Sequence, residues 1–318
     1  MKLFIQIPCY NEEATLPATL KALPGSLEGF DEVHVVVVDD GSTDRSAEVA
    51  RDHGVRHIVS FKENRGLAAA FSAGMEACLR LGADVIVNTD ADNQYDADCI
   101  ADLVAPILAG KADMVVGARD IDAVPHFSPL KKRLQKFGTN LVRKLSGTDI
   151  TDATSGFRAM TREVAKNLVV HSDYTYTLET LIQAGRLNFV VVSVPVKTNP
   201  KTRESRLMRS TPEYVWRSAV TIFRIYTLYR PLRVFSTAGV FLSLIGFLIG
   251  LRFMFFYIRD GGQGHVQSLI LVAILITAGF LLFILGVIAD LLAANRRLIE
   301  EMRLRVRSLE ESEIKRRD

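Results

Sequence analysis

Short apolar runs alternate with amphipathic stretches through the first third of the chain. LFIQIP (3–8), VHVVVVD (33–39), RHIVSF (56–61), ADVIVNTD (83–90) and ADMVVGA (112–118) have strand length and are rich in Val and Ile. Between them, 12–23, 43–53, 66–81 and 97–109 place apolar residues at helical spacing. This alternation predicts an α/β fold with a doubly wound, mostly parallel sheet. Helices on both faces bury such a sheet, which explains strands that are apolar throughout rather than at every second position. Ligands in these sheets bind beyond the C-terminal ends of the strands.

The pattern changes further on. Val234–Leu251 is 18 residues without a charge, and Val266–Ala289 is 24. At ~1.5 Å per residue the second run is about 36 Å long, more than the ~30 Å of a bilayer's hydrocarbon core. A two-span transmembrane hairpin over 234–293 is expected, turning at Gly261-Gly262, with Gly246 and Gly250 spaced for close helix contact. Arg224, Arg230 and Arg233 precede the hairpin and Arg296, Arg297 and Arg303 follow it, so both termini are expected in the cytosol. The opening MKLFIQIPCYNEE is too short in apolar residues for a signal peptide.

Two basic stretches lie between the sheet and the hairpin. Segment 128–147 has Leu130, Leu134, Phe137, Leu141 and Leu145 at helical spacing, with six Lys or Arg and no acid. Segment 211–233 sets Tyr214, Trp216, Phe223, Tyr226 and Tyr229 around Arg217, Thr221 and Arg224. Both are expected as helices in a membrane interface, the alternative being helices packed on the sheet with solvated charges. The tail, 294–318, repeats Leu298, Met302, Val306 and Leu309, as a coiled coil joining two copies or a solvated helix would. The expected organisation is a catalytic domain over 1–210, an interfacial helix over 211–233, the hairpin and a helical tail.

Composition sharpens this picture. The chain has 318 residues, 48% of them hydrophobic, which excludes a disordered protein. Cys9, Cys78 and Cys99 form no CxxC pair and are expected as reduced thiols. The net charge of +3 conceals −11 over residues 1–127, +12 over 128–233, zero over 234–293 and +2 over 294–318. A basic segment beside two spans points to lipid rather than nucleic acid.

Polar residues gather at three predicted strand ends: Pro8-Cys9-Tyr10-Asn11-Glu12-Glu13, Asp39-Asp40-Gly41-Ser42-Thr43-Asp44 and Thr89-Asp90-Ala91-Asp92-Asn93-Gln94. No GxGxxG follows the first strand, which argues against a dinucleotide dehydrogenase. Each cluster taken singly fits a helix cap or a turn; three at three strand ends favour a ligand site. In extended chain, residues 90, 92 and 94 point the same way, so Asp90, Asp92 and Gln94 are expected to converge on Mg²⁺ or Mn²⁺, the rest of whose shell comes from phosphate oxygens.

PCYNEE, VDDGSTD and the DxD of Asp90-Ala91-Asp92 resemble family 2 glycosyltransferases of the GT-A fold. VGARD (116–120) and ATSGFRAM (153–160) are similar to its polyprenyl-phosphate branch, the dolichol-phosphate mannose synthase type. The resemblance spans about residues 2–230. It implies that Pro8, Tyr10 and Glu12, with Asn11 and Asp90, hold the donor nucleotide, and that Asp39 or Asp40 reads its base. It also implies Asp90, Asp92 and Gln94 as metal ligands, and Arg119 and Arg158 beside the reacting phosphates. The family's Gly-x-Ser-Lys stretch stands here within Lys201-Thr202-Arg203-Glu204-Ser205-Arg206, which has no glycine and has Arg206 for Lys.

The implied reaction is inverting transfer of a hexose from a UDP- or GDP-sugar to a polyprenyl monophosphate. Arg119, Arg133, Arg203, Ser205 and Arg206 would receive the acceptor phosphate, with Arg158 near it. Asp152 is the nearest candidate base, the alternative being that it orients Arg158. A processive polysaccharide synthase would carry QxxRW, whereas the only Trp lies in EYVWR (213–217). A non-catalytic scaffold binding a nucleotide sugar is the rival of another class.

Overall fold

The computed structural model describes residues 1–120, 129–170, 176–200, 216, 220, 223, 224, 226–260 and 266–317. They fall into two compact units, Met1–Ser218 and Ala219–Asp318.

The first unit holds a seven-stranded sheet. Its strands are β1 (Lys2–Cys9), β2 (Glu32–Asp39), β3 (His57–Ser60), β4 (Val85–Asn88), β5 (Met114–Ala118), β6 (Arg158–Thr161) and β7 (Val191–Pro195). In space they run β3-β2-β1-β4-β6-β5-β7. β1, β2, β3 and β4 are parallel, as are β5 and β7, while β6 runs antiparallel between β4 and β5. The first five strands are those the apolar runs predict. The sequence reading gives neither β6 nor β7: the Arg-Ala-Met-Thr of β6 carries no apolar run that would mark a central strand, whereas the Val-Val-Ser-Val-Pro of β7 does carry one and lies beyond the five runs read as strands. The mostly parallel sheet stands, with one reversed strand inside it.

The helices are α1 (Leu16–Ala22), α2 (Ser46–Asp52), α3 (Leu67–Arg80), α4 (Cys99–Leu108), α5 (Pro129–Ser146), α6 (Arg162–Asn167) and α7 (Thr177–Arg186). The core is built from strand residues such as Leu3, Ile5, Ile7, Val37, Val85, Val87 and Val115, with Leu16, Ile100 and Leu103 from the helices over them. The three cysteines are buried and free. Chain order sends β2 and β3 to one side of β1 and β4 to the other, so the crevice beyond β1 and β4 is a topological switch point. Pro8 is tolerated near the end of β1 for a local reason. Gln6 O accepts from Thr89 N, so position 8 also faces β4, whose pairing with β1 has already ended at Asn88.

The α5 helix presents two faces. Gln135, Thr139, Val142 and Leu145 are buried against the unit, whereas Arg133, Lys136, Arg143 and Lys144 are exposed and Phe137 is 63% exposed. Of the apolar stripe predicted from sequence, Leu145 lies on the buried face, Phe137 stands outside and Leu141 is half-buried, while the Leu130 and Leu134 side chains lie outside what the structure describes.

The second unit contains α8 (Pro231–Asp260) and α9 (Val266–Arg317). Pro231–Arg259 and Gln267–Arg296 are long and apolar enough to cross a membrane. Gly246 packs against Leu275 and Ile276 and Gly250 against Val272, so the GxxxG face meets the partner span. The α9 helix is 52 residues long and continues from the apolar run into the charged tail, leaving Leu298, Met302 and Val306 exposed. The expected turn at Gly261-Gly262 lies outside the described residues, as does most of 211–225.

Candidate active site

The loops beyond β1 and β2 are stitched together by their own polar residues. Asn11 adopts φ 54° and its Oδ1 accepts from Thr43 N at 2.8 Å, while Ser42 Oγ accepts from Asn11 N at 2.9 Å. Glu12 is buried; Ser46 Oγ accepts from its N–H at 2.7 Å, and its Oε2 accepts from Thr15 Oγ1 at 2.7 Å. Tyr10 is exposed at the rim.

The two adjacent aspartates divide the work. Asp40 accepts from Arg65 N at 2.7 Å, Gly66 N at 2.9 Å and Asn64 Nδ2 at 3.0 Å, which pins the loop leading into α3. Burial raises its carboxyl pKa despite those bonds. Of the two candidates for reading a base, Asp40 is therefore spent inside the protein. Asp39 gives Oδ1 to Ser42 N at 3.0 Å, and its Oδ2 makes no hydrogen bond among the described residues. Between these loops Gly41 has φ 69°, and a Cβ there would lie 2.4 Å from the carbonyl carbon of Glu63, so only glycine fits the turn.

The DxD segment turns rather than extending. Asp92 Oδ1 accepts from Gln94 N at 3.1 Å and Asn93 has φ 54°, so strand alternation does not govern residues 90 to 94. The extended geometry expected for this segment is therefore corrected to a turn. Asn199, after β7, fastens the turn by donating its N to Gln94 O at 2.9 Å and its Nδ2 to Asn93 O at 3.0 Å. The Gln94 side-chain amide makes no hydrogen bond among the described residues.

Asp90 lies in a cradle that Gly156 leaves open. A Cβ on Gly156 would sit 3.1 Å and 3.4 Å from the two Asp90 oxygens and 2.8 Å from Tyr176 Oη. Below it, Asn88 Nδ2 donates to Gly156 O at 2.8 Å and to Tyr176 Oη at 2.9 Å, and Gln6 Nε2 donates to Asn88 Oδ1 at 2.9 Å. The Tyr176 ring is stacked on Phe71 with centroids 3.8 Å apart. On the other side, Gly156 N donates to Tyr95 Oη at 3.3 Å. Burial, then the Asp90 charge among other neighbours, raises the pKa of both Tyr95 and Tyr176, so both phenols stay protonated.

Arg119 closes the site beyond β5. Its Nε donates to Asp152 Oδ2 at 2.7 Å, and its Nη2 donates to Asp152 Oδ1 at 3.2 Å and Thr154 Oγ1 at 2.9 Å. Its Nη1 makes no hydrogen bond among the described residues. Asp152 is fully buried. Burial alone would push its carboxyl up, but Arg119 and the bonds from Thr154 outweigh that and hold it below the usual range. An enclosed carboxylate with a lowered pKa and a bidentate arginine is a poor proton acceptor. Asp152 orients Arg119; it is neither placed to act as a base nor paired with Arg158.

Arg158 is a second correction. It is fully buried, donating from Nε to Ser155 O at 2.8 Å, from Nη1 to Thr177 O and Thr180 Oγ1 at 2.7 Å each, and from Nη2 to Ala153 O at 3.0 Å. Burial lowers its pKa to about 10, so it stays a cation near neutral pH. Every nitrogen is engaged within the fold, and none reaches a phosphate. Arg133 is exposed on α5, and no hydrogen bond or ion pair among the described residues links it to Arg119. Arg203, Ser205 and Arg206 lie outside the described residues.

The donor set suits a hard divalent cation. Among the described residues no three His, Cys, Asp or Glu side chains gather as a metal cage. Two carboxylates and an amide oxygen on one turn, with Asp90 seated against a residue without a side chain, fit Mg²⁺ or Mn²⁺ completed by phosphate oxygens.

Comparison with known proteins decides the family. The family described as Glycosyl transferase family 2 matches residues 4–169, more than half of the chain. This chain belongs to glycosyltransferase family 2. Among its relatives, the polyprenol monophosphomannose synthase of Mycolicibacterium smegmatis is 31% identical over 60% of this chain and 74% of that one. The bactoprenol glucosyl transferase of Shigella phage SfX is 27% identical over 91% of this chain and 93% of its own, so that match extends through the apolar helices. Glucosyl-3-phosphoglycerate synthase of Mycobacterium tuberculosis, solved with Mn²⁺, UDP and glucosyl-3-phosphoglycerate, superposes with TM-score 0.52 at 18% identity, over 71% of this chain and 78% of that one. At that identity the likeness shows the GT-A type of fold.

Sequence reading missed several residues on which this glycosyltransferase builds its site. Tyr95, Tyr176 and Asn88 form its floor, Thr154 and Gln135 support Arg119, and Asn64-Arg65-Gly66 anchors Asp40. The Asn-Arg-Gly before α3 is a turn signal that marks a loop ending at a helix start, though not its partner. Nothing in a single chain announces the tyrosines, whose partners Ser155 and Asn88 lie 60 and 88 positions away.

Proposed function

We propose that this glycosyltransferase moves a hexose from a nucleotide-diphosphate sugar to a polyprenyl monophosphate at the cytosolic face of a membrane, with inversion at C1. The observation that carries the reading is that Asp90 and Arg119 flank Tyr95: the Arg119 guanidinium carbon lies 6.0 Å from the Tyr95 ring centroid, and the Tyr95 hydroxyl accepts from Gly156 N, against whose bare Cα the Asp90 carboxylate sits. The carboxylate side suits a metal-bound diphosphate, and the guanidinium suits a second phosphate that would otherwise repel it. Relatives named for polyprenol and bactoprenol substrates support a lipid acceptor. The neighbour solved with UDP and Mn²⁺ supports a nucleotide donor and a divalent cation.

Asp39, Tyr10 and the Asn11–Glu12 loop would hold the base and ribose, with Pro8 shaping the wall beneath them. Asp90, Asp92 and Gln94 would hold Mg²⁺ or Mn²⁺, which supplies charge neutralisation to the leaving diphosphate. An oxygen of the acceptor phosphate attacks C1, and the bond from C1 to the diphosphate oxygen breaks. That oxygen carries no proton at neutral pH, so no general base is needed, which agrees with the enclosed Asp152. Arg119, held by Asp152 and Thr154, orients the attacking phosphate, and most of the acceleration comes from positioning. The hairpin anchors the enzyme beside its lipid acceptor, and Arg133, Lys136 and Phe137 of α5 rest in the interface.

The test supplies membranes bearing the protein with labelled UDP- and GDP-sugars and polyprenyl phosphate, with and without EDTA. Label is expected in the lipid phase from one donor class only, abolished by EDTA and restored by Mg²⁺ or Mn²⁺. Label confined to the aqueous phase for every donor overturns the reading, and transfer undiminished by EDTA overturns its metal.

A further inference from the structure

We propose that Gln135 is a positioning residue for Arg119, one that ties the acceptor-binding guanidinium to the seating of α5. The inference deepens the proposed function and rests on its assignment of Arg119 to the acceptor phosphate.

The Thr154 hydroxyl carries the argument. A hydroxyl has one proton and two lone pairs. Thr154 Oγ1 donates to Asp152 Oδ1 at 2.8 Å, and it accepts from Arg119 Nη2 at 2.9 Å and from Gln135 Nε2 at 2.7 Å. Its capacity is then full, and each direction is fixed. Asp152 only accepts, Arg119 only donates, and the third partner must be a donor. Gln135 therefore presents its nitrogen, and its buried Oε1 has no hydrogen-bond partner among the described residues. A leucine would occupy the same space without stranding an acceptor, so packing alone gives no reason for an amide here. What the amide contributes is the donor that completes Thr154.

The place of Gln135 on α5 gives this bond a direction of influence. Its neighbours Arg133, Lys136 and Phe137 are exposed on the outer face, while Thr139, one turn on, accepts from Ala153 N at 3.4 Å. Two bonds thus join the inner face of α5 to the loop that holds Arg119. A displacement of α5 moves Nε2, and with it the hydroxyl and Nη2. No hydrogen bond among the described residues links α5 to the loops beyond β1 and β2, where the donor nucleotide is assigned. The effect of Gln135 therefore falls on the acceptor and spares the donor.

The experiment uses the full chain in nanodiscs of phosphatidylcholine and phosphatidylglycerol, with undecaprenyl phosphate as acceptor. Gln135→Leu is expected to raise the acceptor KM about tenfold, as loss of one charge-linked hydrogen bond does, with the donor KM and the shape of the pH profile unchanged. Gln135→Glu supplies a signature that a purely structural role lacks. An ionised Glu cannot donate to Thr154 and competes with Asp152 for Arg119, so the acceptor KM is worst at alkaline pH. As pH falls the carboxyl gains a proton, donates to Thr154, and the KM recovers toward wild type. The charged or titratable groups around this point are Arg119, Asp152 and Arg158, with Asp90 and Tyr95 beyond Arg119; Arg133 and Lys136 of α5 face solvent. All are present in wild type, against which the profile is normalised.

An unchanged acceptor KM in Gln135→Leu, parallel rises in both KM values, or a Gln135→Glu profile that tracks Gln135→Leu at every pH overturns the proposal. Phosphorus NMR titration with a short prenyl monophosphate in detergent reads acceptor binding without turnover. Weaker binding by Gln135→Leu is expected, and equal binding overturns the proposal. Wild-type protein that binds the prenyl phosphate but transfers no sugar overturns the proposed function alone, and absence of binding overturns both.

Discussion

Replacing Gly156 by alanine places one methyl group where three functional atoms already meet. The new carbon would lie 2.8 Å from Tyr176 Oη and 3.1 Å and 3.4 Å from the Asp90 oxygens, inside ordinary contact distance for the first two. Tyr176 cannot recoil freely, because its ring is stacked at 3.8 Å on Phe71 and its hydroxyl accepts from Asn88. Overpacking of this kind costs about 1–3 kcal/mol, and losing the buried Asn88–Tyr176 bond adds about 1 kcal/mol. For a unit of this size each kcal/mol lowers Tm by about 2–4 °C, so a fall of roughly 4–16 °C is expected. Asp90 must also give by a few tenths of an ångström, which displaces a residue proposed to hold the cation. Misplacement of about 1 Å can cost ~10²-fold, so a fall in kcat of about tenfold is expected, with a higher Mn²⁺ concentration for half-maximal rate. Thermal unfolding in detergent and initial rates across a Mn²⁺ titration check both effects. Gly25→Ala, with nothing within 4 Å of the new carbon, is the control and should change neither. A Gly156→Ala enzyme with wild-type Tm and metal requirement would refute the seating of Asp90 against Gly156.

Two further substitutions separate the charged residues of the site. Asp152→Asn keeps the shape but leaves Arg119 without its counter-charge, at a cost of about 3 kcal/mol, with a raised acceptor KM measured alongside denaturant unfolding. The Asp152 pKa is depressed in the folded state, so its stabilisation is complete above its unfolded value near ~3.9 and is lost as pH falls through the folded value. Circular dichroism against pH should show wild-type stability declining below about pH 4, and Asp152→Asn flattening that part of the curve. Arg158→Met deprives Ser155, Thr177 and Ala153 carbonyls of their donor and should reduce the yield of folded enzyme severely, while the surviving folded fraction keeps the wild-type acceptor KM. A well-folded Arg158→Met enzyme with a raised acceptor KM would return Arg158 to the phosphates.

Local signals sufficed for much of this protein. Short Val- and Ile-rich runs gave β1 to β5 because a strand buried on both faces needs apolar residues at every position, whatever its neighbours are. The two long uncharged runs gave α8 and α9 because length and hydropathy are properties of a segment alone. The strand-end clusters point to one candidate site because a parallel sheet delivers its C-terminal ends to one edge. What pairs with what was settled only by the tertiary structure. Asp39 and Asp40 are indistinguishable in VDDG, yet one keeps an oxygen without a hydrogen bond among the described residues and the other is bound into the loop before α3. Arg119 and Arg158 are both arginines near glycine, yet one keeps a nitrogen without a hydrogen bond among the described residues and the other is consumed by carbonyls and the Thr180 hydroxyl inside the fold. Asp152 has the side chain of a base and the surroundings of a counter-ion. The type of each residue is written in the sequence; its protonation, its partners and its exposure depend on groups up to a hundred positions away, which only folding brings within hydrogen-bond reach.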